Sequence, residues 1–244
     1  VHNHCVEEWR RTSPREDAAY RCGQCRDQYR DALSLELLSA RLQAERTGGE
    51  ATSFTLYTLA TELKAQGKYE EAEPLCREAL EMRRETLGNR HPDTLASINN
   101  LGALLLAKRE FAAAEPLCRE ALEGLRETLG DRHQGTLLSI NNLGSLLLEK
   151  GDLAAAELLL REALDAARET LGDRHPSTLC SIKILGWLLT AKGDLAAAEL
   201  LFREALEVQR KTRGNRHPDT LLSIKNLDLL HTLGDMLGVS WARG

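Results

Sequence analysis

The sequence has no run of apolar residues approaching the ~18 of a membrane-spanning helix, so no membrane span is expected in it. It also lacks any block of like charge. The net charge of -5 arises from interspersed glutamates and arginines, which argues against a surface for nucleic acid or acidic lipid. No glycine-rich phosphate loop is present, and no nucleophile, base and orienting group stand together, so the repeated part of the chain is expected to be non-catalytic. No apolar signal segment opens the chain, whose first residue is Val1, and it reads as a piece of a longer polypeptide. Cysteine numbers six and is poorly placed for bridging: Cys76 and Cys118 hold the same place in successive repeats, expected to lie beyond the ~7 Å Cα limit of a disulfide. Reduced core residues are the expectation there, with Cys180 an isolated thiol, a usage that fits the cytoplasm.

What is present is a repeat. The string from His91 to Arg132, HPDTLASINNLGALLLAKREFAAAEPLCREALEGLRETLGDR, returns twice after itself and is half-anticipated before. Gly88, Gly130, Gly172 and Gly214 close successive copies, and His91, His133, His175 and His217 keep the same step of 42 residues. A fixed period in that range means a stacked array whose neighbours share one continuous core. With 42% apolar and 28% charged residues the chain has the make-up to bury such a core.

Within each unit, apolar residues recur at three- and four-residue steps in two blocks, which predicts a pair of amphipathic helices, about 93–108 and 111–129 in the second unit. Gly67, Gly151 and Gly193 end the first helices, Asp152 and Asp194 can cap the second, and Pro92, Pro176 and Pro218 suit a first turn where no amide partner is needed. Arg109 stands where three other turns have glycine, a left-handed backbone there costing about 1 kcal/mol. Gly102, Gly144 and Gly186 are expected to pair with Ala114, Ala156 and Ala198, small residues that let helix backbones approach. The repeated histidines read as turn-stabilising rather than as a site, since each belongs to its own turn.

Ile98, Leu101, Gly102, Leu105, Ala114, Cys118 and Ala121 fall where tetratricopeptide repeats place their large and small residues, and over residues 52–233 the chain resembles that family. Arg126 replaces the usual closing proline, and the unit is longer than usual. That longer form, with INNLG and HPDT, is similar to kinesin light chain repeats, although no heptad segment for pairing with a motor subunit is present. The resemblance implies an all-α, right-handed solenoid of helix-turn-helix units with a concave surface, lined by the first helices, that clasps peptide segments of partner proteins.

The opening segment is different. His2 and Cys5 form HxxC, Trp9 follows four residues later, and Cys22 and Cys25 form CxxC, spacings that present paired soft ligands at the bite tetrahedral zinc requires. Together they resemble the second half of a RING-CH finger of ubiquitin ligases; one isolated four-ligand zinc site and chance are the other readings. The resemblance selects His2 over the nearby His4 and implies cross-braced zinc, held only if an upstream half is supplied. It also implies that Trp9 meets a ubiquitin-conjugating enzyme and Arg26 steadies ubiquitin; the plainer readings are a core aromatic and a solvated charge.

The expected domains are residues 1–30, the half finger; 31–50, a helix with Tyr29, Leu33, Leu37 and Leu38 on one side, lidding the first repeat; 51–218, four repeat units; and 219–244, a terminal helix and tail. Asp228 replaces glycine and His231 replaces leucine in that last helix, which reads as a solvating cap or as a repeat cut short. If Ile98, Leu101, Gly102 and Leu105 face the core, the groove row is Asn99, Asn100, Asn141, Asn142, Ser145, Lys183, Trp187, Lys225 and Asn226. Asparagine offers donor and acceptor to an extended backbone, and the lysines beside Trp187 favour an acidic peptide with an apolar anchor. The plainer alternatives are asparagines that satisfy neighbouring loops and a Trp187 packed between repeats. Two functions follow: the recruiting arm of a RING-CH-type ubiquitin ligase, or a non-enzymatic adaptor like a kinesin light chain.

Overall fold

The computed structural model describes residues 32–48 and 52–239, and all ten regular elements among them are helices. They fall into two compact units, one up to Thr86 and one from Leu87 on. His2, Cys5, Trp9, Cys22, Cys25 and Arg26 lie outside the described residues.

The first unit holds α1 (Ala32–Gly48), α2 (Ser53–Ala65) and α3 (Tyr69–Leu87). Leu35, Leu38 and Leu42 of α1 are buried and α1 packs on α2; Leu37 is only half-buried, so the stripe runs at three and four residue steps from Leu35. The Glu45 carboxylate tightens the corner, accepting from Arg41 Nε at 2.8 Å, Thr55 Oγ1 at 2.9 Å and the Thr52 amide at 3.3 Å. Arg83 of α3 lies over the Tyr57 ring of α2 at 4.7 Å.

The second unit stacks α4 (Pro92–Ala107), α5 (Phe111–Leu129), α6 (Gln134–Lys150), α7 (Leu153–Leu171), α8 (Pro176–Lys192), α9 (Leu195–Arg213) and α10 (Pro218–Met236). Each start and stop has a local cause. The imidazole Nδ1 atoms of His91, His133, His175 and His217 accept from the backbone amides of Asp93, Gly135, Ser177 and Asp219 at 3.1–3.2 Å, capping α4, α6, α8 and α10. Asp152 and Asp194 cap α7 and α9 by accepting from the amides of Ala155 and Ala197. Gly151 and Gly193 are left-handed at φ 82° and 83°, and Arg109 takes the same turn at φ 64°.

The core lies between first and second helices, but the expected glycine–alanine pairing is shifted by one turn. A Cβ on Gly102 would come 2.9 Å from Cys118 Sγ, on Gly144 2.6 Å from Leu160 Cδ2, and on Gly186 2.6 Å from Phe202 Cε1. Helical side chains lean toward the N-terminus, so the residue that covers a spot sits further along than its Cα suggests. Ala114, Ala156 and Ala198 are fully buried beside these contacts. The thiols of Cys76 and Cys118 are buried and pushed up to about 11 by that burial, which leaves them packing groups rather than nucleophiles.

Charged ladders follow the period. Arg126 pairs with Glu162 at 2.5 Å and Arg168 with Glu204 at 2.7 Å, so the arginine in place of the usual proline links successive second helices. Lys150 pairs with Glu115 and Lys192 with Glu157; these lysines and Arg119 and Arg161 hold the two carboxyls below their ordinary range. Gly234 occupies the next lysine position, and His231, one turn earlier, takes over by bonding Glu199 at 2.9 Å. Asp228 is exposed, while Leu221, whose counterparts Leu95, Leu137 and Leu179 are buried, is 53% exposed. The outer face of α10 is therefore part polar and part apolar.

Candidate functional site

Along the first helices, residues one turn apart share a face, and on α4, α6 and α8 that face forms a cleft of about 640 Å³. Leu106 and Ala107 come from α4, Ser145, Leu148 and Glu149 from α6, and Ile184 and Trp187 from α8, with Arg109 in the turn after α4. The walls are mostly apolar. Charge gathers at the C-terminal ends of the helices, where Arg109 Nη2 lies 3.3 Å from Glu149 Oε2 and its guanidinium sits 5.3 Å from the Phe111 ring centre.

Trp187 is half-buried and has two neighbours of different kinds. One side of it lines the cleft; it also meets Phe202 of α9 edge-on, with ring centres 5.2 Å apart and planes at 62°. Gly186 is what admits Phe202, since any Cβ there would collide with the ring. Packing and exposure are thus combined in one side chain.

The asparagine row does not form a single open surface. Asn99, Asn100, Asn141 and Asn226 are buried at 5%, 6%, 1% and 6% exposure. Asn141 is joined to Ser181 of α8 by contacts of 2.9 and 3.0 Å, and Ser145 Oγ donates to the Asn141 carbonyl at 2.9 Å. Asn142 is half-buried and donates from Nδ2 to Asn99 Oδ1 at 3.0 Å. Lys183 is half-buried and Lys225 exposed, and no ion pair among the described residues involves either. Ser145 and Trp187 are the predicted residues that the structure gathers at the cleft, and Lys183 lies one turn from Trp187 on the same helix. Leu106, Arg109, Leu148, Glu149 and Ile184 were not in the predicted row. Ile184 did leave a trace, for it breaks a row that otherwise reads Asn100, Asn142, Asn226.

Among the described residues no group of three His, Cys, Asp or Glu could hold a metal, and no helix is long and apolar enough to cross a membrane. The stacked helix pairs, each packed on the next, define a helical-repeat protein. Residues 51–115, 95–169 and 159–211 match the tetratricopeptide repeat, and the chain belongs to that family. Among solved structures it is similar to BtubC (BKLC) from P. vanneervenii, at 21% identity and TM-score 0.64 over 84% of this chain and 85% of that one. Two structures of a Podosopora anserina putative kinesin light chain with nearly identical TPR-like repeats are similar at 26% identity, covering 75% of this chain and 86% of that one, with TM-scores of 0.61 and 0.60.

Proposed function

We propose that the array is a scaffold that clasps an extended peptide of a partner protein along its first helices, with one bulky apolar side chain seated in the cleft beside Trp187 and Asp or Glu flanking it. The observation that carries this reading is the apolar cleft itself, with Lys183 one turn from Trp187 on α8 and, like the exposed Lys225 of α10, without an ion-pair partner among the described residues. An aromatic at the centre of such a surface supplies most of the binding energy, and the lysines add steering and charge complementarity. Selection of ligands from a random peptide library tests it. Acidic peptides with one large apolar residue are expected, and Lys183→Glu with Lys225→Glu should weaken them, more at low salt than at high. Basic ligands, or affinity untouched by the double reversal, would overturn the proposal.

The HxxC, Trp9 and CxxC pattern supports a second layer, in which the array recruits substrate for a RING-CH-type ubiquitin ligase and Trp9 and Arg26 meet the conjugating enzyme and its ubiquitin. The alternative is an adaptor with no ubiquitin role, like a kinesin light chain. In the half-finger reading His2 and Cys5 serve one zinc and Cys22 and Cys25 another, so this chain should bind zinc weakly and below one equivalent. Tight binding of one zinc per chain in metal analysis would mean a single isolated site instead.

A further inference from the structure

Two successive repeats carry the same pair of polar residues and use it differently. Asn141 and Ser181 are both buried and bonded to each other at 2.9 and 3.0 Å, joining α6 to α8. Forty-two residues earlier the pair is Asn99 and Ser139, and these are not bonded: Ser139 Oγ is fully buried with no hydrogen-bond partner. Asn99 instead accepts from Asn142. The residue that would do the same to Asn141 is Ile184, which has nothing to donate. Asn141 is therefore left to Ser181, whereas Asn142 draws Asn99 away and leaves a buried hydroxyl unmet. Such orphaned groups are uncommon and unfavourable, and the arrangement that Asn141 and Ser181 adopt one repeat later would satisfy this one.

We propose that Asn99 is a two-position element under the groove, and that Ser139 is a positioning residue for ligand binding that acts through it. In the free chain Asn99 holds Asn142. When the carbonyl of a bound peptide takes the Asn142 amide, Asn99 turns to Ser139 and completes the pair that Asn141 and Ser181 already make. Asn142 lies three residues before Ser145, so the peptide it grips is the one in the cleft, and the inference rests on the peptide-binding reading for that step. The bond gained below offsets the bond surrendered above, and the groove's asparagine is freed for backbone at little cost.

The first part of the test needs no ligand. Ser139→Ala should leave the melting temperature of the free chain unchanged or raise it, while Ser181→Ala should lower it by stranding Asn141. Asn142→Ile copies the next repeat and should send Asn99 to Ser139, so that in this background Ser139→Ala becomes destabilising. A melting temperature that falls equally with Ser139→Ala in both backgrounds overturns the inference. The second part uses an acidic peptide taken from selection: Ser139→Ala should weaken its binding about fivefold to tenfold, one hydrogen bond's worth. If Trp187→Ala abolishes peptide binding but Ser139→Ala leaves affinity untouched, the groove reading stands and the switch is wrong. If no peptide binds, the groove reading fails, and the ligand-free cycle still decides whether Asn99 has two positions.

Discussion

Replacing Phe202 with alanine is expected to destabilise the repeat array by about 3–5 kcal/mol, the cost of emptying a fully packed aromatic site. The ring is 1% exposed, lies against the bare backbone of Gly186, and supports Trp187 edge-on. Gly186→Ala is expected to cost about 1–3 kcal/mol for the opposite reason, since its methyl would sit 2.6 Å from a ring carbon. The two changes should not add: with Phe202 removed, the methyl enters the cavity, and Gly186→Ala should cost little or stabilise. Chemical denaturation of the two single variants and the double variant measures this, and strict additivity would show that ring and glycine are not in the contact described.

The second large effect is on binding. Trp187→Ala should cost about 2 kcal/mol of affinity for selected peptides, as expected of an aromatic hot spot. It should also lower the melting temperature, because the same ring packs on Phe202. A change on another wall separates the two roles. Ser145→Leu enters the cleft from α6, where only a hydrogen bond to the preceding turn is lost, and is expected to weaken the same peptides with little change in stability. If Trp187→Ala destabilises the fold while Ser145→Leu leaves every peptide bound as before, Trp187 is a packing residue and the anchor lies elsewhere.

Much of this molecule is written locally. The period, the helix pairs, the aspartate and histidine caps and the left-handed turns at Arg109, Gly151 and Gly193 all depend on contacts within a few residues, and each is legible in one 42-residue copy. The repeat also makes any departure visible, as with Ile184 in the asparagine row or His231 in the leucine row.

What happens between helices is not local. Whether Gly186 faces Ala198 or Phe202 depends on the lean of side chains and on the angle at which α8 meets α9, and a difference of one turn leaves the apolar periodicity unchanged. The same holds for the asparagines, where adjacent positions differ by about 100° around the helix, enough to send Asn141 inward to Ser181 while Asn142 stays half-exposed. Sequence alone therefore determined the repeat, its helices and the residues that start and stop them. The tertiary structure decided which polar side chains remain available to a ligand, because only the stacking of three successive repeats brings Leu106, Ser145, Ile184 and Trp187 to one cleft and spends the buried asparagines on holding its walls together.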